Sequence, residues 1–308
     1  MTLYIKKTTY SSEDNSIKYA FLIPEKENLI EGIYFRLQSR SDFPDDIYHM
    51  CISSQAGCAM GCTFCATGYG GFFSQISSEE MLNQVDLIYK DVIENSKECS
   101  TTKFSVGLMG MGEPFMNYSN VEEFCYSAPK KFNNLYAICI STVGIVPKIK
   151  EAAKIAKDIG ILRLFVSIHS PYDKERSYIM PITNNFPIQS VLEASRVYHQ
   201  ETQSKIILSY LLLGGINNSE KHAEDFAKQI ANDNFFIVQI LLYNETPEIP
   251  FSRPSNESAA KFRDILNSHG IETIIQISKG QDIDGGCGQF IKKINRKTLE
   301  RRKRINHL

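Results

Sequence analysis

Half of the chain's eight cysteines fall within fifteen residues, Cys51 to Cys65, in the stretch CISSQAGCAMGCTFC. Three of them, Cys58, Cys62 and Cys65, follow a C-x3-C-x2-C spacing, with Gly57 and Gly61 each preceding a cysteine. Such short spacings let one loop wrap several thiolates around one centre, and glycine lets the backbone turn tightly there. Three thiolates can hold three irons of a [4Fe–4S] cube and leave the fourth iron open to a small molecule. Zinc is the weaker reading, because a structural zinc site wants four closed ligands and no second C-x2-C or H-x3-H pair is present. Buried structural thiols remain the plain alternative, and the density of cysteine argues against it.

Around that loop the pattern is α/β. Tyr19–Ile23 and Ile30–Leu37 read as two strands joined by a turn over Glu25–Asn28, and Ser39–Asp46 reads as a loop. Ser77 or Ser78 caps a helix reaching Asn95, with Met81, Leu82, Val85, Ile88 and Val92 on one side. Strands at 104–109, 136–140, 162–168, 206–213, 235–242 and 271–277 then alternate with helices at 120–128, 147–158, 188–200, 219–231 and 255–268. That alternation implies βαβ units with right-handed crossovers and a parallel sheet. About six units fit a partial (β/α)6 barrel; a flat doubly wound sheet is less favoured because no G-x-G-x-x-G opens the first helix. The expected division is an N-terminal β-hairpin extension over 1–46, a core over 47–290 and a basic C-terminal tail over 291–308.

Net charge is −1, so the bulk of the chain is no polycation. From Lys292 onward, however, eight basic residues face one acid, Glu300. Such a tail serves either as a source of phosphate contacts or as a solvated terminal helix. No run approaches the roughly 18 apolar residues of a membrane span, and the N-terminus lacks a signal-peptide pattern. The expectation is a cytoplasmic protein without membrane attachment, whose cysteines serve metal binding or catalysis rather than disulfides.

Polar features collect where the strands end, the edge at which parallel α/β folds gather their chemistry. Met109-Gly-Met-Gly-Glu-Pro114 follows one strand, Ser141 and Thr142 another, Ser167-Ile-His169 a third, and Tyr243-Asn244 a fourth. Alone, Glu113 reads as a helix-start carboxylate and His169 as a structural histidine. Near the end, Lys279-Gly-Gln-Asp-Ile-Asp-Gly-Gly-Cys-Gly-Gln289 sets Cys287 in a polar, glycine-rich loop, the setting of an accessible, reactive thiol. Cys99, Cys125 and Cys139 have no such context and read as structural.

The cysteine loop resembles the signature of the radical S-adenosylmethionine (SAM) superfamily. Cys51 ahead of Ser53, Ser54, Gln55 and Gly57, Phe64 before Cys65, Gly-Met-Gly-Glu at 110–113, Ser-Ile-His-Ser-Pro at 167–171 and the Asp284–Gln289 segment together resemble its RlmN/Cfr-type RNA adenine methyltransferases. The resemblance spans about Glu13 to Arg304. It implies a [4Fe–4S] cluster on Cys58, Cys62 and Cys65, and SAM, used twice per turnover, on Gly112, Glu113, Ser141, Ser167, Ile168, His169 and Asn244. It also implies a methyl-carrying Cys287, a resolving Cys51 that forms a disulfide with it, Glu31 as general base, and an electron donor such as flavodoxin or ferredoxin. Glu31 otherwise reads as an exposed strand carboxylate. Family members carry an N-terminal helical accessory domain associated with RNA binding, for which this chain is expected to have no room. Three functions therefore stay open: C-methylation of an adenine in ribosomal or transfer RNA, the same two-cysteine chemistry on a metabolite or peptide, and a non-catalytic iron–sulfur protein. The pairing of Cys51 with Cys287 argues against the last.

Overall fold

The computed structural model describes residues 3–37, 47–95, 103–246 and 249–290. The Ser39–Asp46 loop, Cys99 and the basic tail lie outside the described residues. The chain forms two compact units, the first drawn from 1–59, 65–140 and 279–308 and the second from 60–64 and 141–278.

The first unit carries β1 (Tyr4–Tyr10), β2 (Ile17–Ile23), β3 (Asn28–Leu37), β4 (Ile47–Ile52), β5 (Gln55–Gly57), α1 (Ala66–Gly70), β6 (Phe72–Gln75), α2 (Ser78–Asn95), β7 (Phe104–Leu108), α3 (Tyr118–Lys131) and β8 (Leu135–Thr142), whose last two residues pass into the second unit. Its main sheet runs in the order β1-β2-β3-β4-β7-β8, with β5 and β6 paired separately. The first three pairings are antiparallel, and those of β4 with β7 and β7 with β8 are parallel. Four strands are absent from the sequence reading: the short β5 and β6, and β1 and β4 of the main sheet. β1 exposes most of its residues, so no apolar face marks it, and its backbone is held by pairing with β2. β4 is a six-residue strand buried along nearly its whole length, and His49 interrupts its apolar run directly after the polar Ser39–Asp46 stretch.

Helix α2 begins as its sequence suggests. Ser77 Oγ accepts the Glu80 N–H at 3.1 Å while Glu80 Oε2 accepts the Ser77 N–H at 2.7 Å, a reciprocal capping box. Met81, Val85 and Ile88 are fully buried, each stabilising the fold by about 1.5–3 kcal/mol. Gln84 is buried on the same helix and grips the backbone of Ser53 with both ends of its amide, each bond 2.9 Å.

The second unit is a run of parallel α/β units: α4 (Val146–Ile159), β9 (Leu162–Ser167), α5 (Asp173–Ile179), α6 (Ile188–Thr202), β10 (Ile206–Leu212), α7 (Glu220–Ile230), β11 (Phe236–Leu242), α8 (Asn256–Ser268) and β12 (Glu272–Gln276). β9, β10, β11 and β12 pair in sequence order, all parallel. Every residue of β10 is buried, as expected for a strand covered on both faces. Ser219 and Ser255 cap α7 and α8 by accepting the N–H of His222 and Ser258, a contribution of about 1 kcal/mol each. Among the described residues no helix is long and apolar enough to cross a membrane.

Candidate active site

Strand register decides which residues of the first unit face one another. Cys51 in β4 pairs with Ile33 in β3 and with Gly107 in β7, and Gly107 pairs with Cys139 in β8. Paired residues share a face, so Cys51 and Ile33 point the same way. Glu31, two residues before Ile33, also points that way. The loop carrying Cys287 covers this face. A Cβ on Gly280 or Gly285 would come within 2.7 or 2.4 Å of Ile33 Cδ1, so the backbone passes directly over that side chain.

The turn between β1 and β2 holds the same loop. Ser11 Oγ and Ser12 N donate to the Asp282 carboxylate at 2.8 Å each, and Asp14 Oδ2 accepts the Gly280 N–H at 2.9 Å. Cys51 is half-buried and Cys287 exposed. Burial pushes the Cys51 thiol well above its ordinary pKa, and the nearby Cys287 and Cys139 raise it further. Cys287 is an exposed residue, yet protein packed round its sulfur desolvates it and raises its pKa, with Cys65 adding to the effect. The loop that carries Cys287, 236 positions from Cys51, thus lies over the face that Cys51 shares with Ile33.

The cluster loop is closed at its base. Cys58 N donates to Gly71 O at 2.8 Å. Gly57 sits at φ +75°, and a Cβ there would fall 2.0 Å from Gly71 O, so only glycine fits. Cys58 and Cys62 are buried. Cys65 precedes α1, and burial raises its thiol while the backbone N–H groups of Thr67 and Gly68 draw it back. Ala66 N donates to Gly288 O at 2.8 Å and Thr67 Oγ1 to Phe290 O at 3.3 Å, which ties Cys65 to the Cys287 loop. The loop tip, Met60–Phe64, belongs to the second unit, where Thr63 N donates to Ile179 O at 2.9 Å.

The Gly110–Glu113 segment is stitched to residues 52–55. Gly110 N donates to Ile52 O at 3.0 Å, Ser54 N to Met111 O at 2.9 Å, and Met111 N to Ser53 Oγ at 2.9 Å. Gly112, at φ +104°, leaves no room for a side chain, since its Cβ would lie 2.6 Å from Gln55 Cβ. Glu113 is buried; its N–H meets Gln55 Oε1 and its carboxylate accepts the Phe115 N–H at 3.0 Å. A carboxylate fixed beside open-backbone glycines can receive an ammonium group.

In the second unit Ser167, Ile168 and His169 end β9. His169 has φ +60°, a conformation rare for a residue with a side chain. Its Nδ1 accepts the Leu211 N–H at 3.0 Å, which leaves the ring proton on Nε2. Its carbonyl accepts from Asn217 Nδ2 at 2.6 Å, and Phe64 meets its ring edge-on at 5.3 Å. Burial pushes its pKa down to about 3, and the Arg176 charge adds to this. Half-buried Ser141 and buried Asn244 stand at the ends of β8 and β11, and Arg253 reaches Asn244 Oδ1 at 3.5 Å.

Four buried polar residues that organise these segments carry no sequence signal of their own. Gln84 holds Ser53, and Asn117 binds the carbonyls of Ser54 and Ile76. Asn217 bridges the His169 and Leu211 carbonyls. Arg176, fully buried, donates to the carbonyls of Ile168 (2.9 Å), Ser167 (3.3 Å) and Phe186 (3.4 Å).

An α/β chain with a glycine-flanked three-cysteine loop and polar strand ends defines a class of cofactor-dependent enzyme. Residues 52–230 match the family model of the radical SAM superfamily. The chain is 36% identical, over 92% of its length and 78% of the relative's, to a protein named as a probable dual-specificity RNA methyltransferase RlmN from Clostridioides difficile. It is 33% identical to the protein of the same name from Dictyoglomus thermophilum, with the same coverage. The crystal structure of a radical SAM methyltransferase from Sphaerobacter thermophilus superposes with TM-score 0.85 and 31% identity, over 95% of this chain and 82% of that one. The chain belongs to the radical SAM superfamily and, within it, to the RlmN family of radical SAM methyltransferases.

The cofactors of that family are a [4Fe–4S] cluster and SAM, and the residues present suit them. Soft, desolvated thiols are cluster ligands, and the buried Glu113 carboxylate is of the kind that pairs with an amino acid's ammonium group. No three His, Cys, Asp or Glu side chains among the described residues converge as they would on a single ion. A cube of four irons holds its thiolates farther apart than one ion holds its ligands, so this pattern is compatible with a cluster.

Proposed function

We propose that this enzyme methylates a ring carbon of an adenine in RNA through a methyl-cysteine intermediate. The observation that carries the reading is the shared face of Glu31 and Cys51 beneath the loop that carries Cys287. The relatives named as RNA methyltransferases support RNA as the substrate class. The ligand sets proposed are Cys58, Cys62 and Cys65 for the cluster, and Gly112, Glu113, Ser141, Ser167, Ile168, His169 and Asn244 for SAM.

An adenine ring carbon is no nucleophile toward an ordinary methyl donor. When bound, the cluster and SAM supply a methyl cation equivalent and a carbon radical that takes hydrogen. Cys287 loses its thiol proton and gains the methyl group. After hydrogen is taken from that group, its carbon bonds to the adenine ring, and the resulting ring radical passes one electron back to the cofactor that supplied the reducing electron. Glu31 accepts the proton that leaves the ring carbon. The Cys51 thiolate attacks the Cys287 sulfur; an S–S bond forms and the S–C bond breaks. Its electron pair stays on carbon, which takes a proton and becomes the new methyl group. Two electrons and two protons from a thiol, or from a donor of the flavodoxin or ferredoxin kind, restore the cysteines.

The test is mass spectrometry of nucleosides from total RNA with and without the gene. A C-methyladenosine lost with the gene and restored by the intact chain supports the reading. An unchanged nucleoside profile refutes RNA and favours a small-molecule or peptide substrate.

A further inference from the structure

Lys18 is a cation that the proposed chemistry leaves unused, and it lies between two of its parts. The β2–β3 register pairs Lys18 with Ile33 and Ala20 with Glu31, so Lys18 and Glu31 are diagonal neighbours on the face that the Cys287 loop covers. Lys18 Nζ lies 3.1 Å from Glu31 Oε2. The same ammonium donates to the Asp284 carbonyl at 3.0 Å, and it stands 5.5 Å from the centre of the Phe290 ring. One point charge therefore touches the base and both ends of the segment that carries Cys287. The two side chains are only 11% and 16% exposed, so water screens their pairing weakly. Further contacts hold the frame around them. Glu31 O accepts from Ser53 Oγ at 2.6 Å, and that hydroxyl also takes the Met111 N–H. The Gly280 and Gly285 backbones press on Ile33.

We infer that Lys18 is a positioning residue that sets the Glu31 carboxylate and the Cys287 loop in one frame, so that the base meets the ring proton of a substrate joined to Cys287. This rests on the reading of Glu31 as general base. In the step concerned, the C–H bond of the substituted ring carbon breaks, its electron pair stays in the ring, and its proton passes to Glu31. Lys18 touches neither substrate nor SAM in this scheme; it fixes where the carboxylate oxygens lie. A displacement of about 1 Å at such a group slows a reaction by about 100-fold. A charge-keeping replacement should recover most of that loss.

The full chain, anaerobically reconstituted, is assayed on RNA from cells lacking the gene, as wild type, Lys18→Met, Lys18→Arg and Glu31→Gln. Thermal unfolding checks each variant; if Lys18→Met does not fold, Lys18→Gln replaces it under the same criteria. The expected result is that Lys18→Met still cleaves SAM and methylates Cys287, shown by peptide mass. Its kcat for methylated RNA falls by about 30- to 100-fold with KM within twofold, RNA accumulates on Cys287, and Lys18→Arg recovers most activity. A Lys18→Met enzyme with wild-type kcat, beside an inactive Glu31→Gln, overturns the role of Lys18 and leaves the base reading standing. Loss of Cys287 methylation in Lys18→Met also overturns it, since Lys18 would then be only a prop for the loop. A fully active Glu31→Gln overturns the base reading itself.

Discussion

Replacing Arg176 by methionine keeps the bulk and removes the charge and every donor. Three carbonyls, those of Ile168, Ser167 and Phe186, then lose a charged partner. Such bonds contribute about 1.5–3 kcal/mol each when short; here one is short and two are long, which gives about 5 kcal/mol. Against this stands the cost of keeping the ion inside. Burial pushes its pKa down to about 10, a cost of about 3 kcal/mol. The difference alone is about 2 kcal/mol, and the Ile168 carbonyl is left buried without its charged partner, so a net loss of about 2–4 kcal/mol is expected. Urea unfolding of the full chain measures it.

A second reading separates this effect from general damage. The Arg176 charge helps hold the His169 pKa down near 3. A histidine with a depressed folded pKa contributes stability above its unfolded value of about 6.5, and that stability drains as pH falls toward 3. With Arg176 gone, the folded pKa rises, so the variant should lose less stability than wild type between pH 6 and pH 4. Unfolding free energies within 0.5 kcal/mol of wild type at pH 7, together with an identical acid profile, would refute the reasoning.

Other perturbations test other parts of the site. Gly57→Ala places a Cβ 2.0 Å from Gly71 O at positive φ; it should open the loop base and lower iron content measured after reconstitution, whereas full iron loading would contradict the closure. Gly112→Ala should weaken SAM binding by about tenfold or more in calorimetry, because strain of about 1–3 kcal/mol falls on the cradle; an unchanged Kd would remove Gly112 from the site. The raised Cys51 thiol should make disulfide formation speed up by up to tenfold per pH unit from 7 to 9, as the thiolate fraction grows; a flat profile in quenched-flow sampling would exclude Cys51 thiolate attack as the limiting event. Deleting residues 292–308 should weaken RNA binding and flatten its salt dependence; an unchanged slope would leave the tail a solvated terminal segment.

Periodicity made the parallel strands and their helices legible, because buried strands are continuous apolar runs and helices show a 3.6-residue stripe. Ser77, Ser219 and Ser255 marked helix starts for the same local reason. β1 escaped because it is mostly exposed, and β4 because His49 interrupts its apolar run directly after the polar Ser39–Asp46 stretch. The cysteine loop and Cys287 stood out because their residue types are unusual in their local setting, whereas Gly112, Glu113 and His169 gained meaning only from the resemblance of their segments to the family. Gln84, Asn117, Arg176 and Asn217 did not stand out, since a buried amide or guanidinium is stable only with backbone partners whose position depends on the fold: those of Gln84 and Asn117 are distant in sequence, and those of Arg176 lie across a chain reversal. The same holds for Lys18, whose meaning comes from a strand register and a loop more than 260 residues away.

The two-cysteine transfer is tested most directly by purifying the Cys51→Ala protein from cells and digesting it with ribonuclease. Without the resolving thiol, the carbon bridge between Cys287 and the base should persist. The predicted result is a protein whose gel mobility shifts on digestion, and whose Cys287 peptide carries a residual nucleotide through one added carbon. Full methylation activity in Cys51→Ala, with no RNA attached to Cys287, would contradict the mechanism.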